Sequence, residues 1–204
     1  PVVRVLRQMT SGERPKQVLR IAGRGGALAW VIEPWQAAEK PLYLYGAGHV
    51  GRAIVRVLEE LPFAIRWVDV AVDRFPATVR PGVEIIVASD AASIAAMAEA
   101  DAVHLVMTYA HPLDLAICAA VLRRNEFDYL GLIGSRTKRV RFERRLAAAG
   151  IEPARIDRVV SPIGLPGLAG KEPATIAIAV AAELLLWHQR RQTAVTEHQQ
   201  GARA

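Results

Sequence analysis

Apolar residues in this chain fall into short continuous runs, and between the runs they recur at intervals of three and four. The runs at 42–45, 63–68, 83–88, 102–107, 129–133 and 158–160 have the length of strands. After the first run, Val50, Ile54, Val57, Leu58 and Leu61 keep helical spacing. Ser89 and Asp90 can cap an alanine-rich helix through Ala98. A further helix reaches Arg124, and a basic one reaches Ala149, where Gly150 stops it. Pro173 suits the first turn of a last helix, whose Ile176, Val180, Leu184 and Trp187 form one buried stripe. Strands that alternate with helices imply parallel pairing. The predicted fold class is α/β: a doubly wound, mostly parallel, Rossmann-like sheet.

The first forty residues break this alternation. Short strands are predicted at 2–6, 17–22 and 27–32, with a turn at 23–26 that makes the last two a hairpin. So little hydrophobic surface does not readily stand alone. Residues 1–40 are therefore read as the remnant of a β-rich N-terminal domain, ending in a linker over 33–40. Residues 41–192 form the Rossmann-like domain, and the polar, aperiodic stretch 193–204 is expected to be a disordered tail.

Within the main domain, the run at 42–45 leads straight into Gly46-Ala47-Gly48-His49-Val50-Gly51, and the second run ends on Asp69, 23 residues after Gly46. A Gly-x-Gly-x-x-Gly turn between a strand and a helix is the context in which this motif signals a dinucleotide site. Gly46 permits the tight turn, Gly48 lets a pyrophosphate approach the backbone, and Gly51 lets helix and strand pack closely. Free N–H groups at the helix start favour an anion, with His49 and Val50 inside the turn. Asp69, at a strand's carboxyl end, can accept a ribose hydroxyl. The alternative is a Rossmann-type turn that binds nothing.

Composition narrows the classes. The chain has 204 residues, 52% of them apolar, which is ample for a buried core. The longest apolar stretch, 174–187, is interrupted by Glu183 and is too short to span a bilayer, so no membrane association is expected. No signal-peptide pattern opens the chain. The one cysteine, Cys118, lies mid-helix among apolar neighbours, which points to inert packing and fits a reducing, cytoplasmic setting. The net charge of +6 is concentrated: residues 136–158 hold eight Lys/Arg against Glu143, Glu152 and Asp157. Aromatics are not interleaved with those charges, so no nucleic acid is expected. A solvated helix face, an anionic ligand and an acidic partner all fit this cluster.

In doubly wound sheets ligands bind beyond the carboxyl ends of the strands, and three more loops there carry chemistry. Thr108-Tyr109-Ala110-His111-Pro112 sets His111 near a helix start, a position that disfavours the imidazolium and suits either ligand contact or capping. Gly134-Ser135-Arg136-Thr137-Lys138 combines a glycine turn, a hydroxyl cap and a lysine one turn inside, which can hold a phosphate or simply cap the helix. The segment 161–172 sets Gly164, Pro166, Gly167 and Gly170 before Lys171 and Glu172, which suits wrapping a ligand or closing over the sheet edge. His104, within a strand, reads as a satisfied core histidine. No His/Asp/Glu set has metal-ligand spacing, and no nucleophile elbow is present.

Taken in order, these segments resemble the XdhC/CoxI family, the xanthine dehydrogenase accessory proteins. The resemblance is carried by 45–52, by Trp67-Val68-Asp69 with Phe75-Pro76, by Thr108, His111, Leu113 and Asp114, by 130–135 with Lys138 and Arg139, and by 161–167 with 170–173. It covers roughly 41–192, the Rossmann-like C-terminal domain of that family. It departs at Tyr109-Ala110, where His-Asp is common, and at Ala71, where an arginine often follows the strand-end Asp. The family's N-terminal domain is mostly absent.

The resemblance implies a maturation factor rather than an enzyme. Such a protein binds molybdenum cofactor (molybdopterin) and holds it while a cysteine desulfurase helps install a sulfido ligand. It then delivers the cofactor to the apo-form of a molybdenum hydroxylase. Two other readings stay open: an NAD(P)-dependent oxidoreductase using His111 or Lys171 as acid or base, and an NAD-sensing module acting through the helix at 136–145. A homodimer is also left open.

Overall fold

The computed structural model describes the backbone of residues 17–23, 26–32, 39–168 and 170–201, and the side chains of 39–168 and 170–193. The strand expected at 2–6 and most of the linker at 33–40 lie outside the described residues. The chain divides into two units, Pro1–Glu39 and Lys40–Ala204. In the first, β1 (Gln17–Gly23) and β2 (Gly26–Ile32) pair antiparallel, from Gln17 opposite Ile32 to Gly23 opposite Gly26.

The second unit is an α/β sandwich. Its strands are β3 (Lys40–Tyr45), β4 (Phe63–Asp69), β5 (Glu84–Val87), β6 (Ala102–Val106), β7 (Phe127–Leu132) and β8 (Val159–Val160). They form one parallel sheet in the order β5-β4-β3-β6-β7-β8. The order reverses between β3 and β6, and such a reversal opens a crevice at the strand tips. The helices are α1 (His49–Leu58), α2 (Ala91–Ala96), α3 (His111–Arg124), α4 (Arg136–Ala148), α5 (Pro153–Ile156) and α6 (Pro173–Gly201), with a 3-10 turn at Val72–Arg74 after β4.

Both faces of the sheet are covered, which is why its central strands read as unbroken apolar runs. Leu42 and Leu44 pack with Ile54, Val55 and Leu58 of α1 and with Val180 and Leu184 of α6. Tyr43 and Tyr45 point the other way, into a cluster with Ala95 of α2, Ile117, Val121 and Leu122 of α3, and Phe142 and Leu146 of α4. His104 is buried in that second cluster, its Nδ1 at 3.1 Å from the Tyr45 hydroxyl and its ring stacked on Tyr43 and Tyr45. Burial above all, helped by Arg124, lowers its pKa to about 3, so it is a neutral core residue.

Among the boundaries that differ from the sequence expectation, two have a clear physical reason. β7 starts two residues earlier, because Asp128 is neutralised by Lys40 at 2.5 Å and Arg191 at 2.6 Å and so tolerates its place in the strand. α6 continues as helix to Gly201, past Thr193 where the apolar pattern ends, since residues 193–200 contain neither proline nor glycine to stop it. Among the described residues, no helix is long and apolar enough to cross a membrane.

Candidate functional site

The glycine turn is assembled from three directions. The Gly46 N–H donates to the Val68 carbonyl at 2.8 Å, and the Trp67 indole donates to the Gly46 carbonyl at 3.0 Å. Gly46 has φ +120°, and a Cβ there would meet the Met107 carbonyl oxygen at 2.4 Å. A Cβ on Gly51 would meet the Gly46 carbonyl oxygen at 2.1 Å. Both glycines are thus required by the fold itself. Gly48 is not: its φ of −73° is open to any residue, and a Cβ there would meet none of the described residues within 4 Å. It adjoins the start of α1, a helix without a side-chain cap.

Beside the turn, Asp69 is buried and accepts from the Ala47 N–H at 2.6 Å and the Val70 N–H at 2.7 Å. Arg74 lies 3.4 Å from the same carboxylate, with its guanidinium 4.4 Å above the exposed ring of Tyr109. Arg52 of α1 ties the pieces together by donating to the Ala47 and Arg74 carbonyls. The three glycines, Asp69, Arg74 and Tyr109 line a crevice of about 330 Å³ at the β3/β6 reversal, together with His49, Val50, Met107, Thr108 and Ile133. Of the residues singled out from sequence, the structure brings together here Gly46, Gly48, His49, Val50, Gly51, Asp69 and Thr108.

The remaining candidates lie elsewhere. Lys138 turns inward: its Nζ donates to Asp114 Oδ2 at 2.7 Å and to the Ile133 carbonyl at 2.8 Å, and its side chain is 11% exposed. Its stem packs over Gly134, where a Cβ would meet Lys138 Cδ at 2.4 Å. Ser135 caps α4, its Oγ accepting from the Lys138 N–H at 3.2 Å. His111 opens α3, exposed to solvent and edge-on to Phe142, and no side chain caps that helix. Gly164 and Gly170 line a separate cavity of about 330 Å³ with Arg136, Ile163, Leu165 and Ile176. Lys171 and Glu172 are exposed beside it, with the Lys171 N–H donating to the Glu172 carboxylate at 3.1 Å.

Three residues that the sequence left without a role organise these loops. Asp114, fully buried, accepts from the Thr108 N–H at 2.9 Å and the Thr108 hydroxyl at 2.7 Å as well as from Lys138, which fastens the β6 tip to α3 and α4. Glu183 of α6 accepts from the Tyr129 hydroxyl at 2.9 Å and the Gly164 N–H at 2.7 Å. Arg74 sets a cation at the rim of the crevice. One signal for Asp114 was in the sequence: it shares the helical stripe of Ile117, Cys118, Val121 and Leu122, so a buried carboxylate was implied.

Cys118 is fully buried and its thiol is pushed up to about 12, first by burial and then by the Asp114 carboxylate, so it carries no thiolate near neutrality. Among the described residues, no group of three or more His, Cys, Asp or Glu side chains is arranged to hold a metal ion. The arrangement can bind an anion by backbone N–H groups and a nearby guanidinium.

Comparison with known proteins fits this geometry. A solved structure described as a xanthine dehydrogenase (BH1974) from Bacillus halodurans is 25% identical, with a TM-score of 0.63 over 81% of this chain. The alignment covers 46% of that protein, so the present chain spans less than half its length. The chuY protein of E. coli CFT073 is more remote, at 15% identity and a TM-score of 0.40, covering 70% of this chain and 89% of that one. No curated protein matches the sequence significantly. The family model of the XdhC Rossmann domain matches residues 42–184, most of the chain and nearly all of its sheet, and the protein therefore belongs to the XdhC family.

Proposed function

We propose that this protein is an accessory factor for a molybdenum hydroxylase of the xanthine dehydrogenase type. It holds molybdenum cofactor while a cysteine desulfurase supplies the terminal sulfur, and then passes the cofactor to the apo-enzyme. Family membership supports the accessory role, and the likeness to a structure described as a xanthine dehydrogenase supports the class of client.

The observation that carries the reading is Gly48. It is the glycine of the turn that the fold does not require, and the space over it is open. A phosphate reaching the uncapped start of α1 needs that space, since any side chain at Gly48 would project into it. The phosphate of molybdopterin, or the pyrophosphate of its nucleotide-linked form, fits this cradle. The backbone N–H groups of His49, Val50 and Gly51 would hold it, with Arg74 balancing charge from the rim. When bound, the molybdenum centre supplies oxygen- and sulfur-transfer chemistry for the client enzyme. The chain's own part is to bind, orient and shield.

The glycine turn also suits NAD(P), but one feature works against a nicotinamide enzyme. Asp69, which would take the ribose hydroxyls, already accepts two main-chain N–H groups and lies against Arg74. A ribose would have to compete for it.

The test is a titration of the purified chain with molybdenum cofactor and, separately, with NAD, in wild type and in Gly48→Glu. Molybdenum cofactor is expected to bind, and the variant to bind it at least ~10-fold more weakly, about 1.4 kcal/mol. NAD binding in preference to molybdenum cofactor, or equal affinity in the two proteins, would overturn the carrier role. Hydride transfer from NAD(P)H to a carbonyl substrate would select the oxidoreductase instead.

A further inference from the structure

α4 displays arginines that no other described residue answers. Arg136, Thr137, Val140, Arg141, Arg144 and Arg145 are spaced so that they share one helix face, and together they line a depression of about 680 Å³. All four arginines are exposed, and among the described residues none of their side chains has an ion-pair or hydrogen-bond partner. The inner side of the same helix behaves differently. There Arg139 pairs with Glu143 at 2.5 Å and donates to the Val159 carbonyl, and Lys138 reaches Asp114.

The outer arrangement works against the helix that bears it. Arg136 is the first helical residue, where the positive end of the helix dipole opposes a cation, and the first turn contains no acid. Arg141 stands three and four residues from Arg144 and Arg145, spacings at which like charges repel. Val140, 46% exposed, lies among them. Unpaired charges in a self-repelling row around an apolar residue are what an interface with an opposite surface requires. The row also begins at the functional end of the sheet, because Arg136 lines the cavity under the Gly164 loop.

We infer that this face of α4 docks an acidic surface of a folded partner protein. In the carrier reading, on which this identification rests, the partner is the cofactor's recipient, and docking at α4 sets it against the strand-tip end of the sheet. The occupant is a protein rather than a nucleic acid because the stripe contains no aromatic residue to stack on a base, and Val140 offers an apolar contact that a sugar-phosphate backbone would not use.

The experiment uses the full chain and three labelled probes: a helical peptide with glutamate at every fourth position, an oligouridine RNA, and phosphatidylserine vesicles. The peptide is expected to bind best, with affinity falling as salt rises. Arg141→Glu/Arg144→Glu/Arg145→Glu is expected to weaken peptide binding more than tenfold while leaving the molybdenum-cofactor titration unchanged. Val140→Ser is expected to weaken it a few-fold even at high salt. Arg136→Glu serves as the folding control, since it should raise Tm while reducing peptide affinity. Tighter binding of RNA or vesicles, or full peptide binding by the triple variant, overturns the inference and leaves the carrier role standing. If the peptide binds as expected but molybdenum cofactor does not bind, the acidic-partner surface stands and the carrier role falls.

Discussion

At the β3 tip and at the β7 tip, a glycine turn leads into a helix, yet the two turns end differently. After β7, the Ser135 hydroxyl caps α4 and Lys138 folds back over Gly134 to reach Asp114. Hydroxyl, ammonium and carboxylate are all engaged inside the protein. After β3, α1 starts on Gly48 without a side-chain cap, and the space above Gly48 is open among the described residues. The same local pattern, strand then glycine then helix, leaves an open helix start at one tip and makes a structural lock at the other. Whether a helix start can receive a ligand depends on which internal groups reach it first.

The largest test of this difference is Lys138. If the β7 turn is a lock, Lys138→Met leaves Asp114 buried without its cation and costs about 3–5 kcal/mol. Asp114→Asn combined with Lys138→Met should recover most of that loss, because no buried charge is then left alone. Urea denaturation of the three proteins measures both effects. A loss below about 1 kcal/mol in Lys138→Met would put the lysine back among the groups free to meet a ligand.

How much of this was legible in the sequence follows from the range over which each feature is encoded. β3, α1 and β4 were legible because burial on both faces gives unbroken apolar runs, and one buried stripe gives helical spacing. The parallel order followed from alternation alone. The inward turn of Lys138 was not legible, because its partner lies 24 residues earlier on a different helix. The same holds for Asp128, whose charge hid the start of β7 because Lys40 and Arg191 neutralise it from distant parts of the sequence. Arg74 went unread because its place at the crevice depends on Asp69 and Tyr109, which both reach it only once β4 and β6 are set in the sheet. Asp114 was partly legible, as a carboxylate on an otherwise apolar helix stripe. What stays hidden is which cation answers a buried acid, since that is fixed by the fold rather than by spacing.

A second test separates the two tips from the core beneath them. His104 lies under both, with a pKa near 3 in the folded protein against an ordinary value of 6.5. The unfolded chain accepts a proton that the folded state refuses. Its contribution to stability is therefore complete above 6.5 and is lost as the pH falls from there toward 3. The slope is about 1.4 kcal/mol per pH unit, or about 2 kcal/mol by pH 5. Replacing His104 by Gln should remove that part of the difference between urea midpoints measured at about pH 7 and about pH 5. Identical differences in the two proteins would show that His104 does not carry the acid sensitivity, and attention would return to the carboxylates of the turns.

The smallest expected effects give the sharpest contrast, because they fall within a single turn. Gly51→Ala sets a methyl group against the Gly46 carbonyl oxygen at 2.1 Å, which forces α1 away from β3 and costs about 1–3 kcal/mol. Gly48→Ala adds the same methyl group where nothing lies within 4 Å and the backbone already suits alanine, so stability should change by less than about 0.5 kcal/mol or rise slightly. Anion affinity should follow the opposite order when corrected for folded fraction, with Gly48→Ala losing more because its methyl occupies the approach to the first turn of α1. Thermal melts and phosphate titrations on the same two proteins supply both numbers. Equal destabilisation by the two substitutions would mean that Gly48 is held by the fold after all, and the β3 turn would then be as closed as the one after β7.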